Sequence, residues 1–171
     1  LWILGSSHYS AHLAGMLGLP YAFASHFAPD SLFEALEIYR ERFQPSAQLD
    51  KPYAMVGIMG VIADTDEQAA YHFTSSQQQF VNLRKNVRGP FPRPVASMDG
   101  IWTEMERAGV EHALSYAIVG SPETASQKLA RFLEATGADE LIISTPIHDF
   151  EARLRSIEHF TALPGQMKLA A

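Results

Sequence analysis

Short, continuous apolar runs alternate with amphipathic stretches along this chain, and that alternation limits its fold more than any other feature. The runs are Leu1-Trp2-Ile3-Leu4, Tyr21-Ala22-Phe23-Ala24, Tyr53 to Ile62, and Leu141-Ile142-Ile143-Ser144-Thr145. A strand that is apolar on both faces belongs in a parallel sheet covered by helices. Between the runs, apolar residues recur at helical spacing: Ala11, Ala14 and Leu17, then Leu32, Leu36, Tyr39 and Phe43, then Ala125, Leu129 and Phe132, and last Phe150, Leu154 and Ile157. The fold class is therefore α/β. About four β/α units can be counted, half of what a closed eight-stranded barrel requires.

Helix punctuation supports this order. Gly18 should stop the first helix, and Ser31 with Glu34 has capping-box spacing for the second, which should end before Pro45. Thr65 with Gln68 repeats that spacing for a long polar helix reaching about Asn86. Ser121-Pro122-Glu123 places a cap, a first-turn proline and an acid together, and Gly137 should end that helix. Three prolines in Pro90-Phe91-Pro92-Arg93-Pro94 make that segment a loop or lid. The first strand opens directly on Leu1 and not on Met, so a missing upstream portion is expected.

Composition excludes several functions. The 19 acidic residues outnumber the 13 basic ones, and no Lys/Arg-rich block is present, which argues against a nucleic-acid partner. The absence of cysteine removes disulfides, thiolate metal sites and cysteine nucleophiles. No apolar run approaches the roughly 20 residues that span a bilayer, so no membrane association is expected and the cytoplasm is the expected location.

The turn Gly5-Ser6-Ser7 follows the first strand and opens the first helix, with Ser10 one helical turn beyond Ser7. Glycine permits close backbone approach, and hydroxyls and helix N-terminal amides can donate to phosphate oxygens. A plain helix cap at Ser7 explains the same spacing and is favoured on spacing alone. His8 and His12 lie four apart, but Tyr9 stands where a zinc-protease motif needs Glu and no third ligand follows, so no metal site is expected. His26 sits just beyond the second strand, where ligand-facing residues gather, although a lone His is more often structural. Asp64-Thr65-Asp66-Glu67 reads better as a helix start than as an acid-base cluster, and Arg84, Lys85 and Arg88 better as a solvated helix end than as an anion site.

Taken together, the opening Leu1 to Ser7 with Ser10-Ala11, Gly18-Leu19-Pro20-Tyr21-Ala22-Phe23-Ala24, Ser25-His26-Phe27-Ala28-Pro29 and Val119-Gly120-Ser121-Pro122-Glu123 resemble the bacterial-luciferase-like flavin-dependent monooxygenases. The resemblance runs over nearly the whole chain and implies the C-terminal half of a (β/α)8 barrel. Its fifth to eighth strands would be Leu1–Leu4, Tyr21–Ala24, Tyr53–Ile62 and Leu141–Ser144, with residues 66–98 as an insertion covering the substrate pocket. It further implies that Gly5, Ser6, Ser7 and Ser10 contact the phosphate of FMN, and that Ala24, Ser25 and His26 lie by its ribityl chain or ring. The implied reaction is oxidation of a small organic substrate by O2 and reduced FMN, which a flavin reductase supplies. Catalytic groups of the family come largely from the first four strands, so none is named here, and this half alone is expected to be inactive. The alternatives are a flavin- or deazaflavin-dependent reductase of the same fold and a non-catalytic phosphate-binding half barrel. A half barrel leaves strand edges unpaired, so a homo-oligomer is expected.

Overall fold

The computed structural model describes residues 1–163. Its elements are β1 (Ile3–Gly5), α1 (His8–Leu17), β2 (Tyr21–Ala24), a short 3₁₀ turn (Pro29–Ser31), α2 (Leu32–Arg42), β3 (Ala54–Ile62), α3 (Asp66–Arg84), α4 (Glu104–Ala113), β4 (Ile118–Gly120), α5 (Pro122–Thr136), β5 (Glu140–Ser144) and α6 (Phe150–Ala162). The four expected β/α pairs are present, and α4, β4 and α5 stand between the third and the fourth. Among the described residues no helix is long and apolar enough to cross a membrane. The chain divides into two compact units, one of residues 1–58 and 132–144, the other of residues 59–131 and 145 onward.

In the first unit β1, β2 and the start of β3 pair in parallel, with Ile3 level with Tyr21 and Tyr21 level with Ala54. Tyr21, Phe23, Val56 and Ile58, alternate residues on these strands, are buried, as are Leu32, Leu36 and Tyr39 of α2. Gly15 lets α1 press on α2: a Cβ there would meet the Tyr39 carbonyl oxygen at 3.0 Å and Arg42 at 3.1 Å. The Tyr39 hydroxyl donates to the Leu19 carbonyl at 2.9 Å and accepts from the Tyr53 amide at 3.0 Å, tying the entries of β2 and β3 to the helix. β5 joins β3 through Asp139, whose amide donates to the Ala54 carbonyl at 2.9 Å while its carboxylate accepts from the Ala54 amide at 2.8 Å. Arg40 donates to the carbonyls of Thr136 and Gly137 at 2.8 and 2.6 Å, placing a cation on the C-terminal end of α5. Gly18 ends α1 in the left-handed conformation at φ 62°, as its position implies.

In the second unit the end of β3 pairs in parallel with β4, and α3 and α6 bury Ala69 and Ala152 with Val61 and Ile147. A second cluster gathers Val81, Met98, Val110 and Leu114. Asp66, in the first turn of α3, accepts from the Ser121 amide at 2.6 Å and from the Thr124 hydroxyl at 3.0 Å, so one carboxylate serves two helix starts.

Four expectations are corrected. Leu1, Trp2 and Leu4 are exposed, because β1 is an edge strand and, among the described residues, the face bearing Trp2 and Leu4 is only partly covered, by Tyr53 set edge-on to Trp2. β5 likewise alternates, with Ile142 exposed where a fully buried run was expected. Ser31 makes no side-chain cap, since the 3₁₀ turn before it holds it in helical backbone geometry at φ −90°, ψ −4°, outside the extended form that capping needs. The apolar stripe of α6 points outward: Phe150, Leu154 and Ile157 are exposed, and the buried positions are Ala152 and Ser156. The Ser156 hydroxyl accepts from the Ile62 amide at 2.8 Å, so small residues let α6 lie close to β3.

The bonds from Ser121 and Thr124 hold the Asp66 carboxyl below the usual carboxylate range. Its contribution to stability is therefore full above about pH 4 and lost as pH falls through its lowered folded value. Asp66→Asn should lower the melting temperature at neutral pH, and the gap to the parent chain should close in thermal melts taken at progressively more acid pH. A gap that stays constant with pH would show that Asp66 does not act through its charge.

Candidate functional site

Parallel strands in register end at the same edge of a sheet, and here Gly5 is level with Phe23 while Ala24 is level with Gly57. The backbone leaving β1 and β2 at that edge carries every cofactor-binding candidate from the sequence: Gly5, Ser6, Ser7 and Ser10 on one connection, Ala24, Ser25 and His26 on the other.

Ser7 is the N-cap of α1, in extended geometry at φ −142°, ψ 158°. Its hydroxyl oxygen accepts from the Ser10 amide at 3.3 Å, and the Ser10 hydroxyl oxygen accepts from the Ser7 amide at 3.3 Å, a capping box built with serine at the third position. Ser10 is buried, and its hydroxyl donates to the Ser7 carbonyl at 2.7 Å. Gly5 makes room for this arrangement, since a Cβ there would overlap the Ser10 side chain. Ser6 and Ser7 stay accessible. Among the described α-helices, α1 alone has no acidic residue in its first turn, so its N-terminal partial charge is not met by its own sequence.

On the neighbouring connection Ser25 is fully buried, its amide and hydroxyl both donating to the Gly57 carbonyl at 3.2 and 2.7 Å. His26 is half-buried against Phe27, with ring centroids 4.3 Å apart. Its Nδ1 is enclosed without a hydrogen-bond partner. A buried polar atom left unpaired costs free energy unless a ligand or water satisfies it.

The remaining candidates fall elsewhere. His8 Nε2 lies 3.3 Å from a Glu34 carboxylate oxygen on α2, and no group of three or more His, Asp or Glu among the described residues is placed to hold a metal. Arg84 donates to the Gly109 carbonyl at 2.6 Å and Lys85 pairs with Glu106 at 2.9 Å, so both cations serve the fold. In the second unit a cavity of about 30 Å³ is lined by Asp64, Gln68, His72, Arg155 and His159, which is room for a water. Burial holds the His72 imidazole below its ordinary pKa.

One residue bonded to this turn has no counterpart among the sequence candidates. Tyr21 is fully buried at the start of β2, and its hydroxyl lies 3.0 Å from Ser10 Oγ and 3.3 Å from the Ser7 carbonyl oxygen. Burial pushes its pKa up, against a smaller pull downward from the Ser10 bond, so it keeps its proton. A buried tyrosine where phenylalanine would pack equally well was the signal, because the hydroxyl needs a partner.

The sequence model for the luciferase-like monooxygenases matches residues 1–140. The chain belongs to that family. A luciferase-like monooxygenase of Escherichia coli K12 is 51% identical over 158 residues, covering 92% of this chain and 47% of the relative. The chain thus spans about half the length of the curated relatives it matches. Among solved structures, apo-MsnO8 superposes with a TM-score of 0.81 at 26% identity, over 99% of this chain and 52% of the other. The oxygenating constituent of 3,6-diketocamphane monooxygenase of Pseudomonas putida, solved with FMN, shares the fold at a TM-score of 0.61 and 19% identity, over 99% of this chain and 49% of that one. So does an F420-dependent secondary alcohol dehydrogenase in complex with an F420-acetone adduct, at 0.58 and 15%, over 95% and 48%. The mixed α/β fold with a parallel sheet agrees with half of a luciferase-like barrel.

Ser25 fixes the exit of β2 against β3 within this family fold. Ser25→Ala should cost about 1 kcal/mol in chemical denaturation, the net worth of one buried hydrogen bond whose acceptor keeps a second donor. A neutral substitution would show that the backbone bond alone holds the connection.

Proposed function

We propose that this chain is the FMN-binding half of a flavin-dependent monooxygenase, holding the cofactor at the edge where β1 and β2 end, and that this half alone does not turn over. The observation that carries this reading is the α1 N-terminus: a serine-capped helix start at a strand end, with accessible hydroxyls and no first-turn acid of its own. Such a start suits a phosphate, which needs donors and positive potential and no neighbouring carboxylate on the same turn. The enclosed, unpartnered His26 Nδ1 on the adjacent connection is a polar atom that the cofactor could satisfy. The residues present fit the group.

In this reading Ser6, Ser7 and the first amides of α1 hold the phosphate, while Ser10 shapes the turn from below. Ala24 leaves space for the ribityl chain or ring, and His26 offers Nδ1 to it. Reduced flavin, when bound, would supply the two electrons that take one atom of O2 to water while the other enters the substrate. The chain's own residues bind and orient the cofactor, and a small organic substrate and a flavin reductase complete the system. Hydride transfer with a deazaflavin is the second reading, supported by the shared fold of the F420-dependent dehydrogenase.

Titration of the protein with FMN should quench flavin fluorescence, and a flat trace at millimolar flavin would overturn the binding reading. In the full-length protein, formation of an oxygenated product from reduced FMN and O2 separates the two chemistries: a hydride-transfer enzyme forms its product without oxygen. We also propose that the chain self-associates. No strand lies beyond β1 among the described residues, and Leu4 and Ile142 are exposed in the same unit. Light scattering should therefore give a mass above that of one chain, and a monodisperse monomer would refute this.

A further inference from the structure

The turn contains more hydrogen-bond donors than its acceptors can use, and counting protons shows which one is left over. Ser10 has a single hydroxyl proton, and the 2.7 Å bond to the Ser7 carbonyl takes it. At the 3.0 Å contact between Ser10 Oγ and the Tyr21 hydroxyl, Tyr21 is then the donor, because Ser10 Oγ is nearer to it than the Ser7 carbonyl oxygen at 3.3 Å, which already accepts the Ser10 proton and the Ala11 amide. Ser10 Oγ has two lone pairs. Three donors approach it: the Tyr21 hydroxyl at 3.0 Å, the Ser7 amide at 3.3 Å and the Ser7 hydroxyl at 3.3 Å. The Ser7 amide is fixed by the backbone, and the Tyr21 hydroxyl is nearer and buried, with no water to turn to. The Ser7 hydroxyl is the weakest competitor, and it alone is exposed and free to rotate.

Resting on the phosphate reading above, we propose that Tyr21 is a positioning residue for cofactor binding: by filling the inner lone pair of Ser10 it turns the Ser7 hydroxyl proton outward, toward the ligand phosphate. Ser7 Oγ meanwhile accepts from the Ser10 amide, so its oxygen stays in the cap while its proton serves the ligand. Without the Tyr21 hydroxyl, the Ser7 proton has an inward acceptor at 3.3 Å, and the phosphate loses a donor. The effect belongs to the phosphate alone, because neither Tyr21 nor Ser10 reaches the surface.

The test compares FMN with riboflavin, which lacks the phosphate, by fluorescence titration of the protein at its native length. The unsubstituted protein should prefer FMN. Tyr21→Phe should weaken FMN binding by about 10- to 100-fold, the worth of one hydrogen bond to a charged group, and leave riboflavin binding unchanged. Ser7→Ala should have the same selective effect, and the double variant should be no worse than Ser7→Ala alone. Equal loss of both flavins in Tyr21→Phe, or an FMN preference undiminished by it, would overturn the proposal. Should Tyr21→Phe fail to fold, Ser7→Ala decides alone, and an undiminished FMN preference there overturns it. A protein with no preference for FMN at the outset would instead overturn the phosphate reading, and the proposal with it.

Discussion

Everything at the candidate site depends on the parallel register of β1, β2 and β3. With Ile3, Tyr21 and Ala54 level, alternate residues of each strand point the same way. Tyr21, Phe23, Val56 and Ile58 are buried, while the intervening row places Leu4, Ala22 and Met55 on the other face. The same register delivers two strand ends to one edge, which is why a serine turn and a histidine separated by many residues in sequence occupy neighbouring connections. A shift of one residue would exchange the faces and remove Tyr21 from beneath the turn.

That buried tyrosine links packing to chemistry. On β2 it is a core side chain by its ring, tilted against Tyr39 with centroids 5.3 Å apart and set edge-on to Phe23 at 6.2 Å. Its hydroxyl crosses from β2 to the turn after β1 and meets Ser10 there. The ring is held on several sides, so the hydroxyl cannot drift, and the serine pair takes its orientation from a rigid group. A loop that must present donors in a fixed direction gains from such support, since a mobile cap would spend binding free energy on ordering itself.

Much of this was legible in the residues, for stated reasons. Gly18, Ser7 and Ser121 mark helix ends because left-handed backbone and side-chain caps each demand particular residue types, and those signals are local. The apolar runs located β1, β2, β3 and β5 to within a residue or two. What sequence could not show was which faces find a cover. Leu4, Ile142, Phe150, Leu154 and Ile157 have the pattern of buried residues and are exposed, because an apolar stripe states a preference and supplies no partner. α4 went unread although Thr103 and Glu106 form a complete capping box, with the Thr103 amide donating to Glu106 at 2.7 Å. The signal was present, but Met105 and Val110 are the only large apolar residues in that helix. β4 is three residues long, too short for any periodicity to declare.

The division between binding and catalysis follows from the same geometry. Ser7, Ser10, Ser25 and Tyr21 all spend hydrogen bonds on one another or on the backbone, and what remains for a ligand is a set of outward donors and the unpaired Nδ1 of His26. Donors of that kind hold an anion and orient a polar chain. They do not by themselves form the nucleophile, base and orienting group that acid-base chemistry requires, and no such trio meets at this edge. On the reading proposed above, the arrangement is that of a cofactor holder, in which reactivity comes from the bound group and the protein contributes its position.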